Sequence, residues 1–347
     1  MPSSSPPKSP ERAGVVISPT NNEEHVEVDV PEQEEDGDSA YEDDGLSSAS
    51  TSLKSSVLRY EWKHGRRYHA YQAGKYNFPN DEREQDRLDM IHHVFYRCLH
   101  DRLFLAPVNP DEGLRVLDIG TGTGMWAIHL GDEYPKTAEI IGNDLSPIQP
   151  TWCPPNVRFI VDDVELDWAE PQPYDLVHCR YMAGAIKDWP RLIQQMYDNL
   201  KPGGWIELQE SANTLYSQDG TLAEDNHMVK MMEGLMEACD KIGRTMDPAP
   251  NFEMWVQGAG FVNVKVQTFK LPVGSWPKDP RLKEIGTLLG VNFTEGVEAF
   301  TAALFADVLG WKKEEIAVLN AGVRSAVKKG DAHALFDFIV VTGQKPE

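Results

Sequence analysis

Three glycines lie within five consecutive positions, directly after an apolar run that carries one acidic residue. The segment "VLDIGTGTGM" spans residues 116–125 and leads into an amphipathic stretch. Glycine permits a sharp turn and lets the backbone approach a ligand closely. A helix that begins there also offers unpaired N–H groups. We therefore expect this loop to hold a ligand.

The spacing of the loop restricts the kind of ligand. A dinucleotide fingerprint, GxGxxG, would need its third glycine at position 125, where Met125 stands. Asp118, at the end of the predicted strand, would repel a pyrophosphate but could hold an ammonium group, directly or through water. The expected ligand thus combines a cationic amino group with a nucleoside.

Two further acidic residues follow the next two predicted strands. Asp144 lies twenty residues after Gly124, where a carboxylate can accept both ribose hydroxyls. Asp163 can accept from an adenine amino group while the N–H of Val164 faces a ring nitrogen. Open parallel sheets bind ligands beyond the carboxyl ends of their strands, so these acids should converge. The candidate cofactor-binding residues are Asp118, Gly120, Thr121, Gly122, Gly124, Asp144, Leu145, Asp163 and Val164.

Strand and helix patterns alternate through the centre of the chain. Apolar runs at 114–120, 138–144, 157–163 and 174–180 are separated by helical or loop segments, and further strands are predicted at 205–210, 262–274 and 333–344. This alternation predicts an α/β, Rossmann-like doubly wound sheet, mostly parallel with an antiparallel last strand.

The order of these motifs resembles that of class I S-adenosylmethionine-dependent methyltransferases. "VLDIGTGTG", "IIGNDLSP", "VRFIVDDVE", "YDLVHCRYM" and "LKPGGWIELQE" carry the resemblance over residues 114–210. "GRRYHAYQAGKYNFPNDEREQDRLDMIHHVFY" and "GAIKDWPRLIQQMYDNLKPGGW" narrow it to the fungal LaeA-like methyltransferases. That family includes regulators of secondary metabolism and development, and enzymes of natural-product clusters.

The resemblance implies S-adenosyl-L-methionine as cofactor and places the segment before the first strand over it. It makes Tyr68 and Tyr76 candidate lid residues, and it puts Arg180 and Tyr181 where the methyl-transfer cleft opens. A sulfonium methyl is already electrophilic, so alignment and exclusion of water supply much of the rate. A hydroxyl acceptor would also need a general base. The weak candidates for catalysis are His178, Arg180, Tyr181 and His227.

Domain organisation follows from composition and pattern. Residues 1–56 hold 13 Asp and Glu against 3 Lys and Arg, and are predicted to be a disordered acidic Ser/Pro-rich tail. Residues 57–110 would form a helical cap over the cofactor site. Residues 111–347 would form the methyltransferase domain, with helical insertions at about 212–258 and 279–329. The methionines of 216–239 could line an apolar acceptor pocket or simply form helix core.

Composition excludes several classes of function. The net charge of −22 disfavours direct nucleic-acid binding, which depends on basic residues. The four cysteines are scattered and no metal site is expected. No membrane span or secretion signal is evident, so a cytoplasmic or nuclear location is expected.

Two functional hypotheses remain, and the sequence disfavours a third. The favoured one is a methyltransferase acting on an unidentified metabolite or protein in fungal secondary metabolism or development. The alternative is a regulatory protein on the same fold, acting with velvet-type regulators or as a heterodimer with a related methyltransferase. The acidic tail favours a partner-binding role. A nicotinamide dehydrogenase is disfavoured by the misplaced third glycine.

Overall fold

The computed structural model describes residues 15–17, 60–69, 71–72, 77–168 and 172–347. The predicted acidic tail lies outside the described residues except for 15–17, and Tyr76 lies outside them as well. The ten strands within the described ranges are β1 Val15–Ile17, β2 Tyr60–Lys63, β3 Arg66–His69, β4 Arg115–Ile119, β5 Glu139–Asp144, β6 Val157–Val161, β7 Tyr174–Arg180, β8 Leu200–Tyr216, β9 Val262–Pro272 and β10 Leu335–Gln344.

Eight of these strands form one twisted sheet in the order β1-β6-β5-β4-β7-β8-β10-β9. Strands β4 to β8 pair in parallel, whereas β10 runs antiparallel to both β8 and β9, and β1 runs antiparallel to β6. The predicted α/β fold with an antiparallel last strand is confirmed. Strands β2 and β3 form a separate hairpin.

In the part of the chain that the structure describes, seven α-helices surround the sheet: α1 Glu82–Cys98, α2 Met125–Glu133, α3 Trp189–Asp198, α4 His227–Lys241, α5 Phe252–Gly258, α6 Pro280–Ala303 and α7 Lys313–Lys329. Polar side chains cap the N-termini of several of these helices. Asp81, Asp188 and Asp279 each accept a hydrogen bond from a backbone N–H in the first turn of α1, α3 and α6, which satisfies one of the donors left over at a helix start.

Alternation along β4 distributes its side chains between the two faces of the sheet. Val116 packs toward α2, whereas Leu117 and Ile119 pack toward α3 and α5. Asp118 follows the period of two and points to the α2 face. A further apolar cluster joins α1, α4, α6 and α7 to β9 and β10, so these four helices form a layer over one end of the sheet.

Two predicted boundaries were wrong. Strand β8 extends from Leu200 to Tyr216, although the sequence predicted a strand over 205–210 and a helical insertion from about 212. The extension forms because β10 continues to pair with it as far as Tyr216. Helix α4 accordingly begins only at His227, where Asn226 caps it.

Candidate functional site

The glycine loop joins β4 to α2 at the carboxyl edge of the sheet. Gly120, Gly122 and Gly124 have φ angles of 65°, 58° and 83°, in the left-handed region that favours glycine. A β-carbon added to Gly124 would lie 2.5 Å from the ring of Phe159, and one added to Gly120 would collide with Met182. Helix α2 therefore begins at Met125 only because glycines occupy the preceding turn.

Asp118 is held rigidly at the base of this loop. Its Oδ1 lies 2.7 Å from Nδ1 of His178, and its Oδ2 accepts from Thr121 Oγ1 at 2.6 Å. The His178 ring stacks on Trp126 with centroids 3.8 Å apart. Because Asp118 can only accept, the proton of this bond is on Nδ1 of His178. His178 thus fixes the orientation of the carboxylate.

Asp144 lies at the end of β5 beside the same loop. Its Oδ2 accepts from the Gly122 N–H at 2.9 Å, and its Oδ1 accepts from the Ser146 N–H at 2.8 Å. Burial raises the pKa of Asp144 to about 6, despite these two bonds, and the nearby Asp118 adds to the rise. Each oxygen keeps a lone pair that can accept from a further donor.

The segment after β6 supplies the third acidic residue. Asp163 is buried, and its Oδ1 accepts from the Glu165 N–H at 2.9 Å. The carbonyl of Val164 is used by Trp168 and Gln195, whereas its N–H donates to no other described residue. The loop thus presents a carboxylate and an amide donor close together at the cleft.

One cleft, with an empty volume of about 1170 Å³ that includes open solvent at its mouth, brings together most of the predicted cofactor-binding residues: Asp118, Gly120, Thr121, Gly122, Asp144, Leu145, Asp163 and Val164. Gly124 does not line it. Helix α1 and the segment before it close the opposite wall with Pro79, Asn80, Leu88, Ile91, His92 and Phe95. Two hydrogen bonds tie this wall to the loops: Thr123 Oγ1 donates to Asp89, and Asn80 Nδ2 donates to Ser146 Oγ. The sequence predicted a cap over the cofactor site from residues 57–110, but it did not single out these wall residues.

Arg180 and Tyr181, at the end of β7, both line the cleft. Arg180 donates from Nη2 to Nδ1 of His92 at 2.8 Å, and burial lowers the pKa of Arg180 to about 10, which leaves it charged at neutral pH. Burial, followed by the charge of Arg180, lowers the pKa of His92 to about 2, so this imidazole is neutral.

Tyr181 has a φ of 59°, a conformation that is strained for a residue with a β-carbon. Glu210 holds the turn that follows. Its Oε2 accepts from the N–H groups of Met182 and Ala183 at 2.7 and 2.9 Å, and burial raises its pKa to about 7. Glu210 was not among the predicted site residues.

The remaining candidates lie away from the cleft. His178 is fully buried behind Asp118. His227 packs against helix α7 beside Gly322. Tyr68, in β3, is buried, and this burial raises the pKa of its hydroxyl to about 12. None of these three contributes to the lining of the cleft, and Tyr76 lies outside the described residues.

Other features were searched for within the described ranges. There, no cluster of three or more His, Cys, Asp or Glu is arranged to hold a metal ion. No helix in those ranges is long and apolar enough to span a bilayer. All four cysteines are free thiols, and three of them are buried: Cys98, Cys179 and Cys239.

Comparison with known proteins agrees with this geometry. Residues 90–266 match the model of a family described as a methyltransferase domain. "Methyltransferase pytC" of Aspergillus terreus is 63% identical over 325 residues, which cover 94% of this chain and 97% of that protein. "Secondary metabolism regulator LAE1" of Cochliobolus heterostrophus is 36% identical over 291 residues, covering 82% and 94%.

A solved structure of phosphoethanolamine N-methyltransferase 2 from Haemonchus contortus, in complex with S-adenosyl-L-methionine, is 20% identical with a TM-score of 0.43. The match covers 79% of this chain and 55% of that one, so the chain spans about half of that protein's length. The family match and the two fungal relatives together show that the chain belongs to the S-adenosylmethionine-dependent methyltransferases, in the fungal LaeA-like group of class I.

Proposed function

We propose that the cleft binds S-adenosylmethionine with its nucleoside at β5 and β6 and its methionine end at β4 and β7. The observation that carries this assignment is the convergence of Asp144 and the glycine loop, where the Gly122 N–H lies 2.9 Å from Asp144 Oδ2. The remaining lone pairs of Asp144 would accept the ribose hydroxyls. Asp163 and the N–H of Val164 would bind the amino group and a ring nitrogen of adenine.

The methionine end of the cofactor carries both an ammonium and a carboxylate. Asp118 lines the cleft beside the glycine loop and would attract the ammonium, although its two oxygens already accept from His178 and Thr121. Arg180 is the one Lys or Arg among the described residues that line the cleft. It would therefore pair with the carboxylate, and His92 would hold its guanidinium in place.

The chemistry supplied by the bound cofactor is an electrophilic methyl group on a sulfonium. The chain's own contribution is to bind, to align and to keep water out. Ile91, Phe95 and Met182 provide apolar walls beside the position of the methionine end. Both ring nitrogens of His92 are engaged, with Arg180 and with His129 at 3.1 Å, so His92 serves as a support for Arg180 and not as a base.

Gly122→Arg tests the assignment of the cleft. A β-carbon at Gly122 meets only Leu88, at 3.8 Å, so the arginine would project into the cleft without disrupting the core. We expect no measurable binding of S-adenosylhomocysteine by calorimetry, with a melting temperature within a few degrees of wild type. Gly220→Arg is the matched control, since Gly220 has a similar φ of 74° and open space around it. Unchanged affinity in Gly122→Arg would remove the loop from the site.

A regulatory role is the second candidate, because one relative at 36% identity is named a regulator. Such a role would act through velvet-type regulators or a related methyltransferase, in the nucleus or the cytoplasm. Tritiated methyl from the cofactor, followed in the presence of a fungal extract, separates the two candidates. Incorporation into an extract component by wild type, but not by Gly122→Arg, supports transfer. Capture of a velvet-type partner that survives Gly122→Arg supports the regulatory role.

A further inference from the structure

A second cavity adjoins the cofactor cleft, with an empty volume of about 730 Å³, open solvent at its mouth included. The two cavities meet at Ile91, Phe95 and Tyr181, which line both of them. The rest of the cavity lies among α1, α4, α6 and the ends of the last strands. Its apolar lining includes Phe78, Met232, Leu289, Phe293, Phe300 and Phe336.

The one charged residue in this lining, among the described residues, is already neutralised. Arg87 Nε and Nη2 donate to the two carboxylate oxygens of Glu84 at 3.0 and 2.5 Å. Its Nη1 donates to Asn292 Oδ1 at 2.6 Å and to the Tyr181 hydroxyl at 3.3 Å. Both members of the ion pair are buried, so the charge of Arg87 is already paired with Glu84 and does not favour an anionic ligand.

Neutral hydrogen-bonding groups remain in the cavity. The Asn292 side chain makes no described hydrogen bond other than the one its Oδ1 accepts from Arg87, which leaves two donors on Nδ2. The hydroxyl of Ser211 has no partner within the described ranges, and this residue also lines the cavity. The Arg87 bond fixes the orientation of the Asn292 amide. The cavity therefore offers neutral donors on a wall of aromatic rings.

Resting on the proposed function of the cleft, we propose that this second cavity is the methyl-acceptor site. Its ligand is an uncharged, largely apolar small molecule with a flat unsaturated or aromatic body and oxygen atoms that accept from Asn292 and Ser211. The acceptor presents its nucleophilic atom toward the cofactor cleft, where the two cavities meet beside Ile91, Phe95 and Tyr181. The lone pair of that atom forms the new bond to the methyl carbon while the carbon–sulfur bonding pair returns to sulfur, and the proton of the acceptor is released to solvent when the product leaves.

The wild-type protein tests this with two dyes that differ in charge. We use Nile red, which is neutral and flat, and anilinonaphthalene sulfonate, which is anionic, with S-adenosylhomocysteine present to fill the cleft. We expect saturable binding of one Nile red per chain, and affinity for the sulfonate weaker by about tenfold or more. Absence of saturable Nile red binding, or preference for the sulfonate, would overturn the proposal.

The variant Leu289→Phe tests whether the dye binds in this cavity. Leu289 lines the cavity, whereas Leu319 is equally buried in the same apolar cluster but does not line it. We expect Leu289→Phe to lower Nile red affinity by about tenfold and Leu319→Phe to leave it within about twofold. Calorimetry with S-adenosylhomocysteine reports the cleft separately. If wild type does not bind S-adenosylhomocysteine, the assignment of the cofactor cleft is refuted, whereas the dye measurements still test the acceptor site.

A protein acceptor is the competing outcome. Tritiated methyl from the cofactor is followed in a fungal lysate and partitioned between acid-insoluble protein and organic solvent. Label in the organic phase that falls with Leu289→Phe supports the small-molecule site. Label that stays in the protein fraction, at the same rate in Leu289→Phe, overturns it.

Discussion

Replacement of Asp144 by Asn is the sharpest test of how the cleft recognises its nucleoside. The wild-type carboxylate accepts from the N–H groups of Gly122 and Ser146 through different oxygens. Asn keeps the size of the side chain but has one oxygen and one NH₂ group. The N–H of either Gly122 or Ser146 must then face the NH₂ group, which is itself a donor. The NH₂ group also cannot accept from a ribose hydroxyl.

The expected loss follows from the number of bonds that change. A hydrogen bond to a charged group contributes about 1.5–3 kcal/mol, and at least one such bond to the ribose is lost. We therefore expect S-adenosylhomocysteine to bind about 10- to 150-fold more weakly to Asp144→Asn. Asp111→Asn is the control: it makes the same change of charge on a half-exposed carboxylate that does not line the cleft.

The pH dependence of binding provides a second readout. The pKa of Asp144 in the free protein is about 6, and ribose hydroxyls favour its charged form. Adenosine affinity should therefore fall as the pH decreases below about 6, by up to tenfold per pH unit, and this fall should be absent in Asp144→Asn. Calorimetry with adenosine from pH 5 to 8 measures it. Equal affinities for wild type and Asp144→Asn throughout that range would refute the ribose role of Asp144.

Two further predictions concern stability. Gly124→Ala should lower the free energy of unfolding by about 2–4 kcal/mol. The alanine would have to adopt the φ of 83° that glycine has here, and its β-carbon would lie 2.5 Å from the ring of Phe159. Gly220→Ala, which has only the positive φ, should cost about 1 kcal/mol in urea unfolding; equal losses would contradict the packing argument. Glu210 binds its proton more tightly in the folded state, with a pKa of about 7. The free energy of unfolding should therefore fall as the pH rises from about 4.5 to 7, and Glu210→Gln should remove up to about 1.4 kcal/mol per pH unit of that slope. Parallel curves for the two proteins would show that Glu210 does not titrate there.

The sequence by itself determined the fold class and the convergence of the acidic residues. Parallel strands place their carboxyl ends at one edge, so Asp118, Asp144 and Asp163 had to meet once the strand pattern was recognised. The glycine loop could also be predicted from the sequence, since few other residues adopt the positive φ angles found at Gly120, Gly122 and Gly124. These are local rules, and they need no knowledge of distant contacts.

Only the tertiary structure decided which side chains face the cleft and which lie behind it. His178 follows a strand pattern that fits a catalytic or a structural role, and only the packing of Trp126 and Asp118 buries it. Strand β8 exceeds its local pattern because β10 provides a hydrogen-bonding partner for it. The second cavity depends on Arg87 and Asn292, which are 205 positions apart and meet only when α1 packs on α6. Such contacts arise from the assembly of the helical layer, and no local periodicity encodes them.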